Sequence, residues 1–420
     1  MQIFKFGGAS VNSTERIGRV ADILREYMGE PLVVVISAMG KTTNELEWVV
    51  NAFYKGDTAQ ALDLFGIVKQ KHLDTYRGLM QDEGGQELLL DLFTEVEWLL
   101  HDRPVREYDY YYDQIVCIGE LLSTTIVHAY LERRGIPNTW LDVRDILRTD
   151  ANFRDANVDL AYAAEQSADR LQPLLDENRV VLLQGFIGST AENESTTLGR
   201  EGSDYTAALF SNLLGAGSLT IWKDVEGVMN ADPKLFPDAQ VISELNYTEV
   251  IEMAYYGAQV IHPKTIKPLQ NRHIPMHVKC FLDPTLPGTL IHDQSVKSLP
   301  PIIVLKKNLV LLHLHSKDFS FVGETAVSKL YTLLESLHIQ PHLVQSGAIT
   351  VQLCVDDKGD KTQKLAAEAA AIFDVEVEKG LTLLTIRHSG EQLLSSLTDG
   401  HTKVLLQQTP ETVMVLMREL

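Results

Sequence analysis

Short apolar runs alternate with helical patterns over the first two thirds of the chain. The runs that read as strands are "QIFKF" (2–6), "PLVVVISA" (31–38), "IPNTWLD" (136–142), "RVVLLQGFIG" (179–188), "SLTIWKDV" (218–225) and "IPMHVKCF" (274–281). Between the first two, Ile17, Val20, Ala21 and Leu24 recur at helical spacing, and Asn12 with Glu15 three places on predicts a capping-box start. Strands separated by helices need crossover connections, so the pattern predicts an open, largely parallel sheet sandwiched by helices. Ligands of such sheets bind beyond the carboxyl ends of the strands. Residues 50–112 read as helices with no strand between them, either an inserted lid or plain scaffold.

The pattern changes near residue 300. Strand, helix, two strands, helix and strand follow in the order βαββαβ, through "NLVLLHLHS" (308–316), "GETAVSKLYTLLESLH" (323–338), "IQPHLVQSG", "AITVQLCVD", "DKTQKLAAEAAAIF" and "VEVEKGLTLLTIRH". That order is ferredoxin-like α+β. The Pro-rich "DPTLPGTLIHDQSVKSLPP" (283–301) reads as the linker. The expected division is 1–290 and 300–420, with one full βαββαβ unit at about 306–380. A second unit is short or discontinuous, completed by the segment near 289–305 and by "KVLLQQTPETVMVLM" (403–417).

Composition narrows the function classes. In 420 residues, 45% are hydrophobic and 22% charged, which describes an ordinary globular chain. A net charge of −20 argues against general nucleic-acid binding. Three scattered cysteines, Cys117, Cys280 and Cys354, make neither a disulfide framework nor a zinc knuckle. The start "MQIFKFGGAS" does not read as a signal peptide, and no run is read as approaching a membrane span. A cytoplasmic location without membrane partners is the expectation.

The strand-end loops carry the chemistry. "VVVISAMGKTTN" (33–44) ends in Gly40, Lys41 and Thr42, yet Val35 stands where a Walker loop needs its first glycine. "FKFGGAS" (4–10) offers Lys5, Gly7, Gly8 and Ser10, either a plain turn or a loop that lets backbone approach phosphate. "TTLGREGSDYTAALFSNLLGA" (196–216) opens a helix running to Gly215 with Ser203 or Asp204 as cap, and Arg200 offers a planar fork to an anion. "IWKDVEGVMNADPKLFPDA" (221–239) could edge a nucleotide or be ordinary turn chemistry. His313 and His315 share one strand face and read as sheet histidines ahead of metal ligands; His262 reads as a cap.

Taken together, "KFGGAS", "VVVISAMGKTTN", "IGE" (118–120), "TTLGREGSDYTAA", "WKDVEGVMNADPK" and "YYGAQVIHPKT" (255–265) resemble the amino-acid kinase superfamily, and within it the aspartokinases, across essentially the whole chain. The resemblance implies the amino-acid kinase fold followed by an ACT-type regulatory region. It implies ATP and Mg²⁺ (carried by ATP, with no separate metal site) and phosphorylation of the β-carboxylate of L-aspartate. On it, Lys5 and Asp204 are catalytic, and Gly7, Gly8 and Ser10 hold phosphate. Ser37, Thr43, Glu120, Arg200 and Ser203 line the aspartate pocket, with Arg200 on the α-carboxylate and Glu120 facing the α-ammonium. Lys223, Asp224, Met229, Lys234 and Gln259 fall on the ATP side. Ala9 stands where Thr or Ser is usual, Lys223 where many members have Thr, and Gln259 where many have Lys; the last two read as a compensating exchange of charge. Lysine or threonine is the implied effector near Phe321, Gln345 and Ser346, and a homodimer is the implied assembly. A homoserine dehydrogenase module is not expected. A non-catalytic amino-acid sensor and a kinase for another small carboxylate are the alternatives.

Overall fold

The computed structural model describes all residues except 82–85, 259, 319, 389 and 419–420, with the side chain of Glu391 also outside the description. It divides into two units: Met1–Val228 with Val241–Ile251 and Val260–Val296, and Lys297–Leu420 with Met229–Gln240 and Glu252–Gln259.

In the first unit the six expected apolar runs all form strands: β1 (Gln2–Phe6), β2 (Leu32–Ile36), β3 (Asn138–Trp140), β4 (Val180–Gln184), β7 (Ser218–Lys223) and β9 (Met276–Cys280). The expected run 179–188 ends as β4 at Gln184 and resumes as β5 (Ile187–Ser189), which pairs in a short hairpin with β6 (Ser195–Thr197); β6 and two short strands, β8 (Glu244–Asn246) and β10 (Thr289–His292), were not legible as apolar runs. The eight-stranded sheet has the order β3-β4-β2-β1-β7-β9-β10-β8, parallel except where β10 meets β9. β2 and β4 are buried along their whole length, as continuous apolar strands covered on both faces must be. The chain leaves β1 for β2 on one side and returns to β7 on the other, which opens a crevice at the carboxyl ends of these strands.

Helices α1 (Thr14–Glu26), α2 (Thr42–Tyr54), α3 (Thr58–Met80), α4 (Glu87–His101), α5 (Tyr108–Val116) and α6 (Ile118–Arg133) fill the first half. The cap of α1 is Ser13, whose hydroxyl accepts from the Arg16 N–H, and not Asn12; a 3₁₀ turn over Gly8–Val11 occupies the residues before it. The stretch Tyr108–Arg133 is long and apolar enough by composition to cross a membrane, contrary to the reading of the sequence. It is a core pair of helices, with most of its apolar window buried. The segment 50–112 braces the second strand-end loop: Lys71 on α3 donates to Thr42 Oγ1 at 3.1 Å and to Glu45 at 2.8 Å. Helices α7 (Leu160–Gln166), α8 (Gln172–Asp176), α9 (Gly202–Leu214), α10 (Tyr247–Tyr256) and α11 (Pro263–Gln270) complete the run. The Nδ1 of His262 caps α11 by accepting from the Lys264 N–H.

The second unit is a six-stranded antiparallel sheet of order β12-β13-β11-β14-β16-β15. Its strands are β11 (Ile302–Ser316), β12 (Leu343–Ser346), β13 (Thr350–Asp356), β14 (Phe373–Arg387), β15 (Thr402–Gln408) and β16 (Thr412–Arg418), with helices α12 (Glu324–Ser336), α13 (Asp360–Ala369) and α14 (Glu391–Thr398). Alternation sets the two faces of β11. Val310, Leu312 and Leu314 pack with Leu330, Leu334 and Leu365, while Leu309 and Leu311 pack with Leu381, Leu383 and Leu416. Both β11 and β14 are long. Their halves Leu309–Ser316 and Phe373–Leu381 pair within the first βαββαβ unit, and Ile302–Lys306 pairs with Leu383–Arg387 beside β16 and β15. Asn230 ties its stretch to this unit, donating from Nδ2 to the Pro301 carbonyl and accepting from the Ile303 N–H, each at 2.8 Å. Cys117, Cys280 and Cys354 are buried free thiols.

Candidate active site

A cleft of about 410 Å³ lies in the first unit and is lined by Lys5, Gly8, Ser37, Thr43, Glu120, Arg200, Ser203 and Asp204, all singled out in the sequence. Tyr112, Arg154, Phe186, Thr197 and Glu201 also line it and were not.

Two loops form its floor because one of them has no side chain. A Cβ on Gly8 would lie 2.7 Å from the Ala38 carbonyl oxygen and 2.9 Å from that of Gly40. With glycine there, the Gly40 N–H donates to the Gly8 carbonyl at 3.0 Å and the first and second strand-end loops lock together. Lys5, at the end of β1, is 8% exposed, and its Nζ lies 2.5 Å from Asp204 Oδ1. Asp204 sits in the first turn of α9. Burial pushes its carboxyl up, but the charges of Lys5 and Lys223 outweigh burial and hold it below the ordinary carboxylate range. The cap of α9 is Glu201, at φ +54°, and neither Ser203 nor Asp204. The Glu201 carboxylate accepts from the His262 N–H at 2.9 Å, which fixes this left-handed turn. Gly185 leaves room for Ser203: a Cβ there would lie 2.5 Å from the Ser203 Cβ.

Glu120, in the first turn of α6, is fully buried. Its Oε1 accepts from the Ala38 N–H at 3.3 Å, while Oε2 has no partner among the described residues. Burial pushes this carboxyl up to about 8, against the Ala38 N–H and the charge of Lys5. A buried carboxylate short of a partner at a cleft wall fits an incoming cation.

The remaining expected residues are placed as follows. Gly7 lies beside Lys5, whose Nζ would be 3.5 Å from a Cβ there. The Ser10 hydroxyl donates to the Trp222 carbonyl at 3.4 Å and is buried, so it faces the body of the unit. Lys223, at the end of β7, donates to the Val260 carbonyl at 2.7 Å, and Asp224 is exposed. Met229, half-buried, and Lys234, exposed, belong to the stretch grouped with the second unit. Gln259 lies outside the described residues. In the second unit, Phe321 is 82% exposed and lines a cavity of about 290 Å³ with Ser316, Asp318, Ser320 and Ala326. Gln345 and Ser346 are exposed at the end of β12 and do not line it. His313 faces Glu378 at 3.6 Å across the sheet, and no group of three or more metal-ligating side chains gathers among the described residues.

The comparisons with known proteins agree with this geometry. Residues 1–280 match the Amino acid kinase family. The lysine-sensitive aspartokinase 3 of Escherichia coli (strain K12) is 34% identical over 396 residues, covering 91% of this chain and 86% of that protein. The crystal structure of E. coli aspartokinase III in complex with aspartate and ADP (R-state) superposes with a TM-score of 0.84 at 29% identity, covering 100% of this chain and 96% of that one. Its complex with lysine and aspartate (T-state) gives 0.78 at 29% identity, covering 99% and 95%.

Proposed function

Since this chain belongs to the amino acid kinase family, and within it to the aspartokinases, we propose the following working of its cleft. The chain transfers the γ-phosphoryl group of ATP to the β-carboxylate of L-aspartate and yields 4-phospho-L-aspartate. The observation that carries this reading is the buried Glu120 carboxylate, unpartnered at Oε2, on the wall of the cleft whose floor holds the Lys5–Asp204 pair. Glu120 takes the α-ammonium, and Arg200 forks onto the α-carboxylate.

The nucleophile needs no base, because a carboxylate with a pKa near 4 is ionised at neutral pH. Repulsion between it and the triphosphate is the obstacle, and positioning plus electrostatics is the remedy. Lys5 supplies the charge, Asp204 orients Lys5, and the first turn of α9 turns its positive end to the cleft. Gly7 and Gly8 bring backbone N–H groups close to phosphate; Ser37, Thr43 and Ser203 complete the acceptor pocket. Mg²⁺ bound with the triphosphate would neutralise its oxygens, and Asp204, the cleft carboxylate paired with Lys5, would help to hold it.

Residues 1–290 are assigned as catalytic and 300–420 as regulatory. Lysine is the favoured effector over threonine, on the lysine complex of the E. coli relative. The cavity at Phe321 is its proposed place, where Asp318, held down to about 2 by Ser320 and Ser316, offers a carboxylate to an ammonium. A cytoplasmic homodimer completes the proposal. The test is MgATP-dependent hydroxamate formation from L-aspartate and hydroxylamine. Trapping of the acyl phosphate by the native chain and none by Asp204→Ala is expected; a folded, ATP-binding chain without signal refutes aspartate as the acceptor.

A further inference from the structure

Arg154 lines the acceptor cleft with its backbone at φ +70°, a region that disfavours side chains and suits glycine. The strain is held from below. The Arg154 N–H donates at 3.0 Å to Oδ2 of Asp113, a wholly buried carboxylate on α5. The same oxygen accepts the Thr197 N–H at 2.8 Å, and Oδ1 accepts the Thr197 hydroxyl at 2.7 Å. One carboxylate therefore clamps Arg154 to the end of β6, three residues before Arg200. Above the clamp the guanidinium carbon lies 4.3 Å from the ring centre of Tyr112, another cleft residue. Its nitrogens reach Asp109 at 3.2 Å and Glu47 at 3.5 Å. Those two pairs are solvent-exposed at both ends, and such pairs are worth little. The guanidinium can thus exchange them for a bound carboxylate at small cost.

Backbone strain retained at a cleft wall, and over-determined by a buried clamp, points to a function for the side chain that suffers it. Resting on the aspartate-kinase reading of this cleft, we propose that Arg154 is a specificity-determining residue: beside Arg200, it gives the acceptor's carboxylates a second forked cation, with Asp113 as its positioning residue. A dicarboxylate presents two anionic ends, and Lys5 is committed to Asp204 and the phosphoryl group.

Arg154→Gly removes the guanidinium and leaves the backbone in a conformation glycine prefers, so the fold is preserved. In hydroxamate kinetics on the full chain, the KM for L-aspartate should rise about tenfold while kcat falls less than threefold and the KM for ATP stays put, the signature of lost uniform binding. Arg154→Lys, which keeps the charge without the fork, should recover part of the loss. An aspartate KM within twofold of wild type in Arg154→Gly, or no recovery in Arg154→Lys, overturns the role of Arg154 alone. A wild-type chain that neither turns over nor binds aspartate by calorimetry overturns the functional reading and the inference with it.

Discussion

Lys5 at the end of β1 and Asp204 in the first turn of α9 meet as a buried ion pair, Nζ to Oδ1 2.5 Å, though they stand 199 positions apart in the chain. Each makes the other tolerable: an unpaired charge at that depth would shift its protonation or unfold the site. The pair joins the strand that carries the Gly7-Gly8 loop to the helix whose first turn lines the cleft, so the fold and the cleft share one contact.

Removing either partner should therefore cost both. Lys5→Met leaves Asp204 buried and unpaired, and urea unfolding should report a loss of about 3–5 kcal/mol. Asp204→Asn keeps the shape, and kcat should fall by about 10²–10³-fold, the range for losing one preorganised electrostatic contact. Because Asp204 is held below the ordinary carboxylate range, its contribution to stability is present above that range and lost only as pH falls through its depressed pKa. Wild-type activity at mildly acid pH should not fail through this pair. An Asp204→Asn chain with native kcat would remove Asp204 from the mechanism.

Glu120 predicts the opposite pH behaviour. Its folded pKa is raised to about 8, so the stability it contributes is complete below about 4.5 and is lost as pH rises through about 8. Aspartate binding runs against this trend, because the ammonium pairs only with the ionised form. Affinity should strengthen by up to about tenfold per pH unit between pH 6 and 8, with close to one proton released per aspartate bound at pH 7. Calorimetry in buffers of different ionisation enthalpy measures that proton directly. Glu120→Gln should bind more weakly and show neither effect. A wild-type affinity flat from pH 6 to 8 would place the ammonium elsewhere.

Asp113 gives a second, separable pH signature. Burial pushes it up to about 6, although the Arg154 and Thr197 donors and the Arg154 charge pull it down. Its stabilising contribution is complete below about 3.8 and is lost as pH rises through about 6, a difference that corresponds to about 3 kcal/mol. The difference in urea midpoint between wild type and Asp113→Asn should therefore change steadily from pH 4 to 7 and level off above. The amide can set its oxygen at the Oδ2 position to accept both N–H groups and donate from its NH2 to the Thr197 hydroxyl, so Asp113→Asn keeps the clamp in an uncharged form at every pH. Parallel pH profiles for the two chains would show that Asp113 does not titrate in this range.

How much of this could be read in the sequence depends on where each signal resides. The strands β2 and β4 were legible because runs buried on both faces are nearly continuously apolar, and β1 and β7 because apolar residues dominate them despite Lys5 and Thr220. The hairpin β5–β6 was not legible as a separate unit, since "IGS" continues the apolar run of β4 and "STT" is polar although buried. Of the cleft, Lys5 and Gly8 flank the end of β1 and Arg200 and Asp204 the start of α9, in Gly-rich stretches of unusual composition, whereas Glu120, in the first turn of α6, was legible only through the motif resemblance. Arg154 gives no such signal, because a positive φ on arginine is imposed by Asp113, distant in sequence and hidden in "YYYDQIV", where an acid on a helix reads as solvated. Likewise, nothing in the composition of 50–112 announces that Lys71 supports Thr42.

Gly8 offers a test in which the neighbours cannot give way. The atoms that an added Cβ would strike are the carbonyl oxygens of Ala38 and Gly40, at 2.7 and 2.9 Å, and not the ends of flexible side chains. Relief requires moving the second loop, which breaks the Gly40 N–H to Gly8 carbonyl bond and carries Ser37 and Thr43 out of place. Gly8→Ala should lose about 1–3 kcal/mol, the usual cost of overpacking, with kcat and aspartate affinity falling together. Gly7→Ala is the stability control: its backbone is at φ −75°, ordinary for alanine, and its Cβ would meet only the Lys5 Nζ at 3.5 Å. Thermal unfolding of the two variants should differ by several degrees in favour of Gly7→Ala. Equal melting temperatures would mean that the loops yield independently, and that the contact between them does not hold the cleft in shape.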